Sequence, residues 1–579
     1  RTPPAGPDDD PKGTIAVHAD LDLNPGCEMT WDGLKYPVRD LTGHLELHPG
    51  SWIFKGMKGT HGQAVISGEG RVDKLPGGYK VGLHIHADDL LFESQLRSAL
   101  GPAWQKTWDT LNPVGASDVD VRIAVEPGKP DRYHLEIDPR PGTNLKLRFE
   151  RVAVEGDGGG PKLIEMPMED VRGRFVFDDG LVTMTDGRFL FHSAPVKLKW
   201  GEVRVFDSGQ FSLKVKELTV DELKLDFSLR KLMPPVMAQF ALRLDDGKSF
   251  HISTDLALGW SGKPGELATC AWENGTVVFV DNTIQAGIPL KHLQGQIDHL
   301  RGSFDGRDLL VSGALDLASV NLMDVHVTEV TTPIEVDANK ARLTNVRGTL
   351  MGGAITGSLE IGLESTPKFD AHLSVEGVDL REYARSLPGK QDFRGLVSGR
   401  ADLSGMGHDL HTLQGSGEAH VTQGDLGKLP AWARLIKPLN LAPTTRTAFD
   451  QADVWFTIRN GMTTFNPIEF FGDAFSLHGR GTLDVQSELD VKLRVLYSRD
   501  ALHIPGVSDL TRELGGQLLV IRVAGPAAAP AFKLELFPTA GEFAKSLGDR
   551  RGPKPPPRER SAMRLPFLPR RSADDAPRP

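Results

Sequence analysis

Hydrophobic and charged residues alternate one by one along much of this chain. The clearest run lies near the C-terminal end, where mostly charged residues separate Leu483, Val485, Leu489, Val491, Leu493 and Val495. Successive side chains leave a strand on opposite sides, so such alternation predicts a strand or hairpin with one apolar face and one polar face. Similar runs occur at 119–125, 145–149, 211–215 and 532–536. The pattern predicts many one-faced strands and leaves open what covers their apolar face.

Turn signals separate these runs and indicate hairpins. Asp-Asp-Gly at 178–180, Asn-Gly at 274–275 and 460–461, and Pro-Gly-Gly at 76–78 are sequences typical of tight turns between strands. Parallel strands would need long helical crossovers between them, and the chain has few such segments. We therefore predict a mainly β fold, built as a long antiparallel sheet.

A longer repeat runs through the chain at intervals of roughly 100 to 130 residues, the scale of a repeated structural unit. An apolar residue, one further residue and a glycine precede a strand around Gly43, Gly173, Gly295 and Gly395. Three segments have helical spacing instead, at 92–111, 380–387 and 428–439. We expect them to be short amphipathic helices that cap an open edge or end of the sheet.

Composition narrows the function classes. The 579 residues are 39% hydrophobic and 25% charged, as in a folded protein, and the formal charge of -10 argues against a nucleic-acid partner. The cysteines Cys27 and Cys270 stand far apart and suggest neither a disulfide framework nor a metal site. The chain contains no apolar run of membrane-spanning length and begins without Met, so we expect any export signal or anchor to precede Arg1.

Candidate catalytic groups are weak. His84 and His86 form an H-x-H pair, but they alternate with apolar residues and are better interpreted as solvated side chains on a polar face. Glycine-rich stretches at 415–420 and 479–483 lack the strand-turn-helix setting of a phosphate loop, and fit strand bends or bulges. The sequence therefore predicts no catalytic site, no cofactor and no bound metal.

Four motifs follow one another in the stretch 375–495: VEGVDLREYARSL, then DFRGLVSGRADLSGMGHDLHTLQGSGEAHVTQGDLGKLP, then FDQADVWFTIRNGMTTFNPIEFFGDAFSLHGRGTLDV and LDVKLRV. In content and order they resemble the C-terminal region of the AsmA-like family of bacterial envelope proteins. The repeats at Gly43, Gly173 and Gly295 extend a looser likeness over most of the chain. The resemblance implies antiparallel strands stacked into a long, curled, taco-like groove with an apolar lining that shields lipid in the periplasm.

The expected groove has lining residues, a ligand, partners and a membrane anchor. The alternation places these residues on the lining in the C-terminal part: Leu359, Ile361, Leu373, Val375, Leu483, Val485, Leu489, Val491, Leu493 and Val495. The resemblance further implies phospholipid or another acyl lipid as the ligand, membranes and envelope proteins as partners, and an N-terminal inner-membrane anchor. It carries over no catalytic residue.

The chain divides into four predicted parts. These are a disordered linker at 1–12, repeated β-groove units at 13–390, an AsmA-like C-terminal β module at 391–537, and a short helix with a disordered, basic, Pro-rich tail at 538–579.

Two other functions stay open. A β-rich scaffold would bury the same apolar faces internally, whereas a carbohydrate-active β-helix enzyme should show a period of roughly 20 to 25 residues that we do not find.

Overall fold

The computed structural model describes most of the chain between residues 17 and 537. The described residues are 17–31, 34–151, 162–178, 180–205, 210–225, 229–230, 241–244, 247–261, 269–286, 288–322, 325–337, 339–364, 366–386, 394–407, 409–424, 449–472, 475–497, 518–527 and 530–537. The predicted linker at 1–12, helix at 428–439 and tail at 538–579 lie outside them.

Strands make up nearly all of the regular structure. The first strands are β1 (Ala19–Leu23), β2 (Met29–Trp31), β3 (Leu34–His48), β4 (Ser51–His61), β5 (Ala64–Leu75), β6 (Gly78–Leu91), β7 (Ala116–Val125), β8 (Arg132–Pro139), β9 (Leu145–Arg151), β10 (Lys162–Asp178), β11 (Leu181–Phe191), β12 (Ala194–Val205), β13 (Phe211–Lys224), β14 (Ser249–Trp260) and β15 (Thr269–Ala286). The later strands are β16 (Ile288–Phe304), β17 (Leu309–Leu322), β18 (Val325–Val336), β19 (Lys340–Leu350), β20 (Gly353–Gly362), β21 (Lys368–Asp379), β22 (Leu396–Met406), β23 (Gln414–Thr422), β24 (Gln451–Arg459), β25 (Met462–Phe471), β26 (Phe475–Leu483), β27 (Glu488–Tyr497), β28 (Leu518–Pro526) and β29 (Ala531–Phe537). The helices described are α1 (Ser94–Ala99), α2 (Pro102–Leu111) and α3 (Leu380–Ser386).

The strands form one long antiparallel sheet that follows the order of the chain. β3 to β8 pair in sequence, and β10 continues from β8 and leads strand by strand to β29. β1 and β2 pair with the two halves of β3, and β9 pairs with the first half of β10. The predicted fold class is therefore confirmed, and the predicted boundary at 390–391 falls between β21 and β22, which pair directly.

The two margins of the sheet, where strands end, differ in their connections. One margin, here called the turn margin, carries short links such as 48–51, 336–340 and 362–368. The opposite connector margin carries the long links 91–116 and 224–249, and also the link 379–396 that contains α3. The long links, which are able to fold back over the sheet, therefore start from the connector margin.

The predicted glycine repeat is a double bulge inside the strands. Asp40, Asp170 and His292 have φ of 49°, 49° and 55°, and the glycines three residues later have φ of 136°, 114° and 144°. The sheet register shifts at these places, and such bulges bend a strand and increase its twist. The apolar residue after each Asp or His is fully buried, being Leu41, Val171 and Leu293. Gly395 also has a positive φ, but residues 391–393 lie outside the described part.

The predicted hairpin at Asn274–Gly275 is wrong. β15 runs straight through both residues, and the register with β14 slips by one residue between Ser253 and Asp255. Asn274 has φ of 53°, so the Asn-Gly pair supplies the left-handed backbone of a bulge instead of a turn. The other turn signals do separate strands, because β5, β10 and β24 end at them.

The helical predictions hold where the structure describes them. The segment 92–111 forms two helices because Gly101-Pro102 interrupts it, with Gly101 as N-cap and Pro102 as the first residue of α2. The segment 380–387 forms α3. α1 contacts β3 and α2 contacts β9, so this pair of helices lies over the sheet beside the connector margin.

Candidate functional site

One face of the sheet is apolar over its whole length. Residues paired in register on neighbouring strands point to the same face, so rows of such pairs trace each face across the sheet. One row across β21 to β28 is Val375, Gly399, Ala419, Val454, Ile468, Gly479, Leu493 and Ile521. All described strands belong to this one sheet, so no second sheet covers the apolar face within the described residues.

Nine of the ten predicted lining residues lie on this apolar face. Their positions follow from the row above, because residues two apart on a strand share a face. These residues are Leu359, Ile361, Leu373, Val375, Leu483, Leu489, Val491, Leu493 and Val495. Val485 is the exception. It lies in the turn between β26 and β27, at the turn margin beside Gly461 and Leu410.

Burial divides these residues into two groups. Val491, Leu493 and Val495 are 5%, 2% and 4% exposed and belong to one hydrophobic cluster, with Leu489 packed against it. The remaining six are half-buried. They are Leu359, Ile361, Leu373, Val375, Leu483 and Val485. The apolar face is thus closed by protein over β27 and more accessible over β20 and β21.

Segments from the connector margin close parts of the face. Trp108 of α2 packs against a buried cluster that includes Ala87 and Val119, and the Trp104 ring lies 6.0 Å from the ring of Phe177. The Arg97 guanidinium donates two hydrogen bonds of 2.7 Å to the Asp109 carboxylate, which joins α1 to α2. Further along, Leu380 of α3 and Phe449 belong to the cluster over β24 to β28. The sequence predicted such helices as caps on an open edge or end of the sheet, whereas they pack over its apolar face.

A second cover is the segment 241–244, here called the strap. Its Arg243 carbonyl accepts a 2.7 Å hydrogen bond from the Gln285 amide, and Leu244 pairs with Ile284. The Arg243 Nη2 donates hydrogen bonds of 2.7 Å and 2.8 Å to the carbonyls of Leu363 and Glu364. The strap therefore joins the connector margin of β15 to the turn margin after β20.

This contact shows that the sheet is curled. Five strand spacings of about 4.8 Å separate β15 from β20, which gives about 24 Å in a flat sheet before the length of a strand is added. One arginine side chain spans that separation, although Gln285 and Leu363 lie on opposite margins. The two margins must therefore approach each other around the apolar face, which makes that face the inside of a groove.

We predict that Arg243→Ala loosens the strap. Two hydrogen bonds from a charged donor are lost, each with a net contribution of about 1.5–3 kcal/mol. Hydrogen–deuterium exchange at the Gln285 amide should accelerate by about tenfold or more. Arg342→Ala is the control, because Arg342 lies at the turn margin in ion pairs with Glu360 and Asp337 and does not reach the strap. Unchanged exchange at Gln285 in Arg243→Ala would contradict the bridging role.

The opposite, polar face is held by cross-strand pairs of opposite charge. Arg342 faces Glu360 in register, with Nε 3.1 Å from the carboxylate, and Arg400 faces Glu418 at 2.8 Å. Opposite charges at facing positions stabilise neighbouring strands modestly. At these positions the polar face therefore has a structural role.

His84 and His86 lie on this polar face, as predicted. His84 Nε2 is 2.8 Å from an Asp120 oxygen, so these side chains are in pairs with carboxylates. His372 and Asp402 form a similar cross-strand pair at 2.7 Å, and this hydrogen bond raises the pKa of His372. No group of three or more His, Cys, Asp or Glu side chains in the described residues is placed to hold a metal ion.

Sequence reasoning missed part of the lining and the whole strap. Phe456, Phe465 and Leu477 face the groove, and their alternation within β24 to β26 was available as a signal. The role of Arg243 has no local signal, since its partners stand 120 and 121 residues away.

No helix within the described ranges is long and apolar enough to cross a membrane. Comparison with protein-family models gives no match, and comparison with curated protein sequences gives none either.

Proposed function

We propose that this chain is a non-enzymatic cell-envelope protein that binds lipid in its apolar groove and conducts it between membranes, in support of outer-membrane biogenesis. The observation that carries the proposal is the half-buried row of Leu359, Ile361, Leu373 and Val375 on a face without a second sheet in the described residues. Shielding an acyl chain needs apolar area, at about 25 cal/mol per Å² removed from water, and no directed polar groups.

The resemblance to the AsmA-like family supports the choice of ligand and location. It favours phospholipid as the acyl lipid, the periplasm as the compartment, and attachment to the inner membrane. Membranes at the ends of the groove and envelope proteins are the partners that this function requires. Catalysis is not part of the proposal.

A β-rich envelope scaffold without lipid is the second candidate. The cluster around Leu477, Leu493 and Ile521, exposed by 0%, 2% and 1%, favours it locally, because protein alone fills the groove there. The two candidates differ over β20 and β21, where a scaffold needs no ligand.

We predict that Leu373→Glu removes bound lipid. A carboxylate on the apolar face loses hydration when an acyl chain covers it, so lipid occupancy should fall about tenfold or more. Protein purified from a bacterial envelope would be examined by native mass spectrometry for bound phospholipid. Ser374→Glu is the control, because Ser374 is the next residue on β21, exposed on the polar face. Wild-type protein that carries no phospholipid and gains none when lipid is offered would favour the scaffold.

The two cysteines give a second test of lipid binding in the groove. Cys270 lies on the apolar face of β15, in register with Leu258 and Phe304, and burial raises the pKa of its thiol to about 11. Cys27 is exposed. Added phospholipid should slow maleimide labelling of Cys270 and leave Cys27 unchanged, each rate being compared with that of the same thiol without lipid. Equal rates with and without lipid would argue against a ligand at β15.

A further inference from the structure

Four cations stand side by side on the polar face of β26 to β29, the last strands among the described residues. Arg480 of β26 faces Lys492 of β27, Lys492 faces Arg522 of β28, and Arg522 faces Lys533 of β29. The register therefore sets one positive charge on each of four neighbouring strands, about 4.8 Å apart from strand to strand. We call these residues the cationic row.

The cationic row is the longest run of facing like charges among the described strands. Facing charges elsewhere are of both kinds. They are opposite at Arg400 and Glu418 and alike at Arg188 and Lys197. Like charges directly opposite each other destabilise a pair of strands. Asp490 relieves this in part, because its carboxylate accepts hydrogen bonds of 2.9 Å and 3.1 Å from Arg522. The strands β26 to β29 hold five Arg or Lys and three Asp or Glu, so they are net positive in a chain whose charge is -10.

We propose that the cationic row is a docking surface for the anionic phosphate headgroups of a phospholipid membrane. Clusters of four or more Lys and Arg bind anionic bilayers, each charge adding to the attraction. A protein partner would instead call for aromatic or apolar side chains at the centre of the contact, and the row has none. Lys533 is exposed, and Arg480, Lys492 and Arg522 are half-buried, so each of the four keeps part of its surface in contact with solvent.

The cationic row lies on strands that also line the groove. Two of these strands, β27 and β28, carry Leu493 and Ile521 on their opposite, groove-lining face. A membrane held by the row would lie next to strands β26 to β29. The docking surface thereby deepens the proposed function, on which it rests for its biological meaning, by naming the strands that meet a membrane and the charge that holds it.

Vesicle sedimentation tests the proposal with the full chain. The probes are phosphatidylcholine vesicles with and without phosphatidylglycerol. The variant combines Arg480→Gln, Lys492→Gln and Lys533→Gln, and leaves the Arg522–Asp490 pair in place. The control combines Lys58→Gln, Lys74→Gln and Lys80→Gln, three exposed lysines near the other end of the sheet that change the net charge equally.

Wild-type protein and the control should bind the anionic vesicles, and the row variant should bind about tenfold or more weakly. Binding should also weaken as salt increases. Thermal unfolding of the row variant is measured beside wild type, so that weaker binding is separated from loss of the fold. Equal binding by the row variant, or no binding by wild type, would overturn the proposal. The Leu373→Glu variant should keep vesicle binding, so a failed docking surface and a failed lipid groove give different results.

Discussion

Gly295→Ala is expected to lower the free energy of unfolding by about 2–5 kcal/mol. Gly295 closes the double bulge of β16 with φ of 144°, a backbone conformation that costs an alanine of order 1–3 kcal/mol. An added Cβ would also lie 2.2 Å from the Asp316 carbonyl oxygen and 2.6 Å from the Leu317 Cα. Both neighbours are backbone atoms of β17, so the strands themselves must separate to admit the methyl group.

The control for this prediction is Gly352→Ala. Gly352 also has a positive φ, of 77°, but an added Cβ there meets nothing within 4 Å. Only the backbone cost then applies, about 1 kcal/mol. Urea denaturation followed by circular dichroism measures both variants, and hydrogen exchange in β16 and β17 shows whether the loss is local. Equal losses in the two variants would mean that close approach of β17 does not restrict Gly295.

The repeat around Gly295 illustrates what a single sequence can predict of this fold. Alternation identified the strands, because a one-faced strand needs an apolar residue at every second position. The spacing of Gly43, Gly173 and Gly295 indicated a repeated unit, but the positive φ of each glycine is seen only in the structure. The left-handed backbone at Asp40 and His292 was not predicted, since Asp and His in a strand pattern are simply polar-face residues.

The candidate site was less predictable than the strands. A lining residue is defined by register across many strands, and a shift of one residue would have turned its side chain to the other face. The shared face of Val375 and Leu493 follows from six successive pairings. Whether a lining residue is covered depends on distant segments, such as Phe449 above β24 to β28 and Arg243 between the margins. Alternation along one strand contains no information about either.

The second large effect is expected from Leu493→Ala, with Leu373→Ala as its matched partner. Each leucine lies over a glycine of the preceding strand, since Cδ2 of Leu373 would be 3.2 Å from a Cβ on Gly357 and Cδ2 of Leu493 2.9 Å from one on Gly479. The surroundings below the two side chains are therefore alike. They differ above, because Leu493 is 2% exposed within a buried cluster and Leu373 is half-buried.

Leu493→Ala should lower the free energy of unfolding by about 2–5 kcal/mol, because it leaves a cavity that the cluster cannot fill. Leu373→Ala should cost about 1 kcal/mol in delipidated protein, since water already reaches that side chain. Chemical denaturation of both variants measures the difference, and repeating it with phospholipid adds a second test. Lipid that binds over β21 stabilises the folded protein by mass action, and it should do so more in wild type than in Leu373→Ala. Equal costs for the two leucines without lipid would mean that protein covers Leu373 as fully as Leu493, and the groove would then be closed at both places.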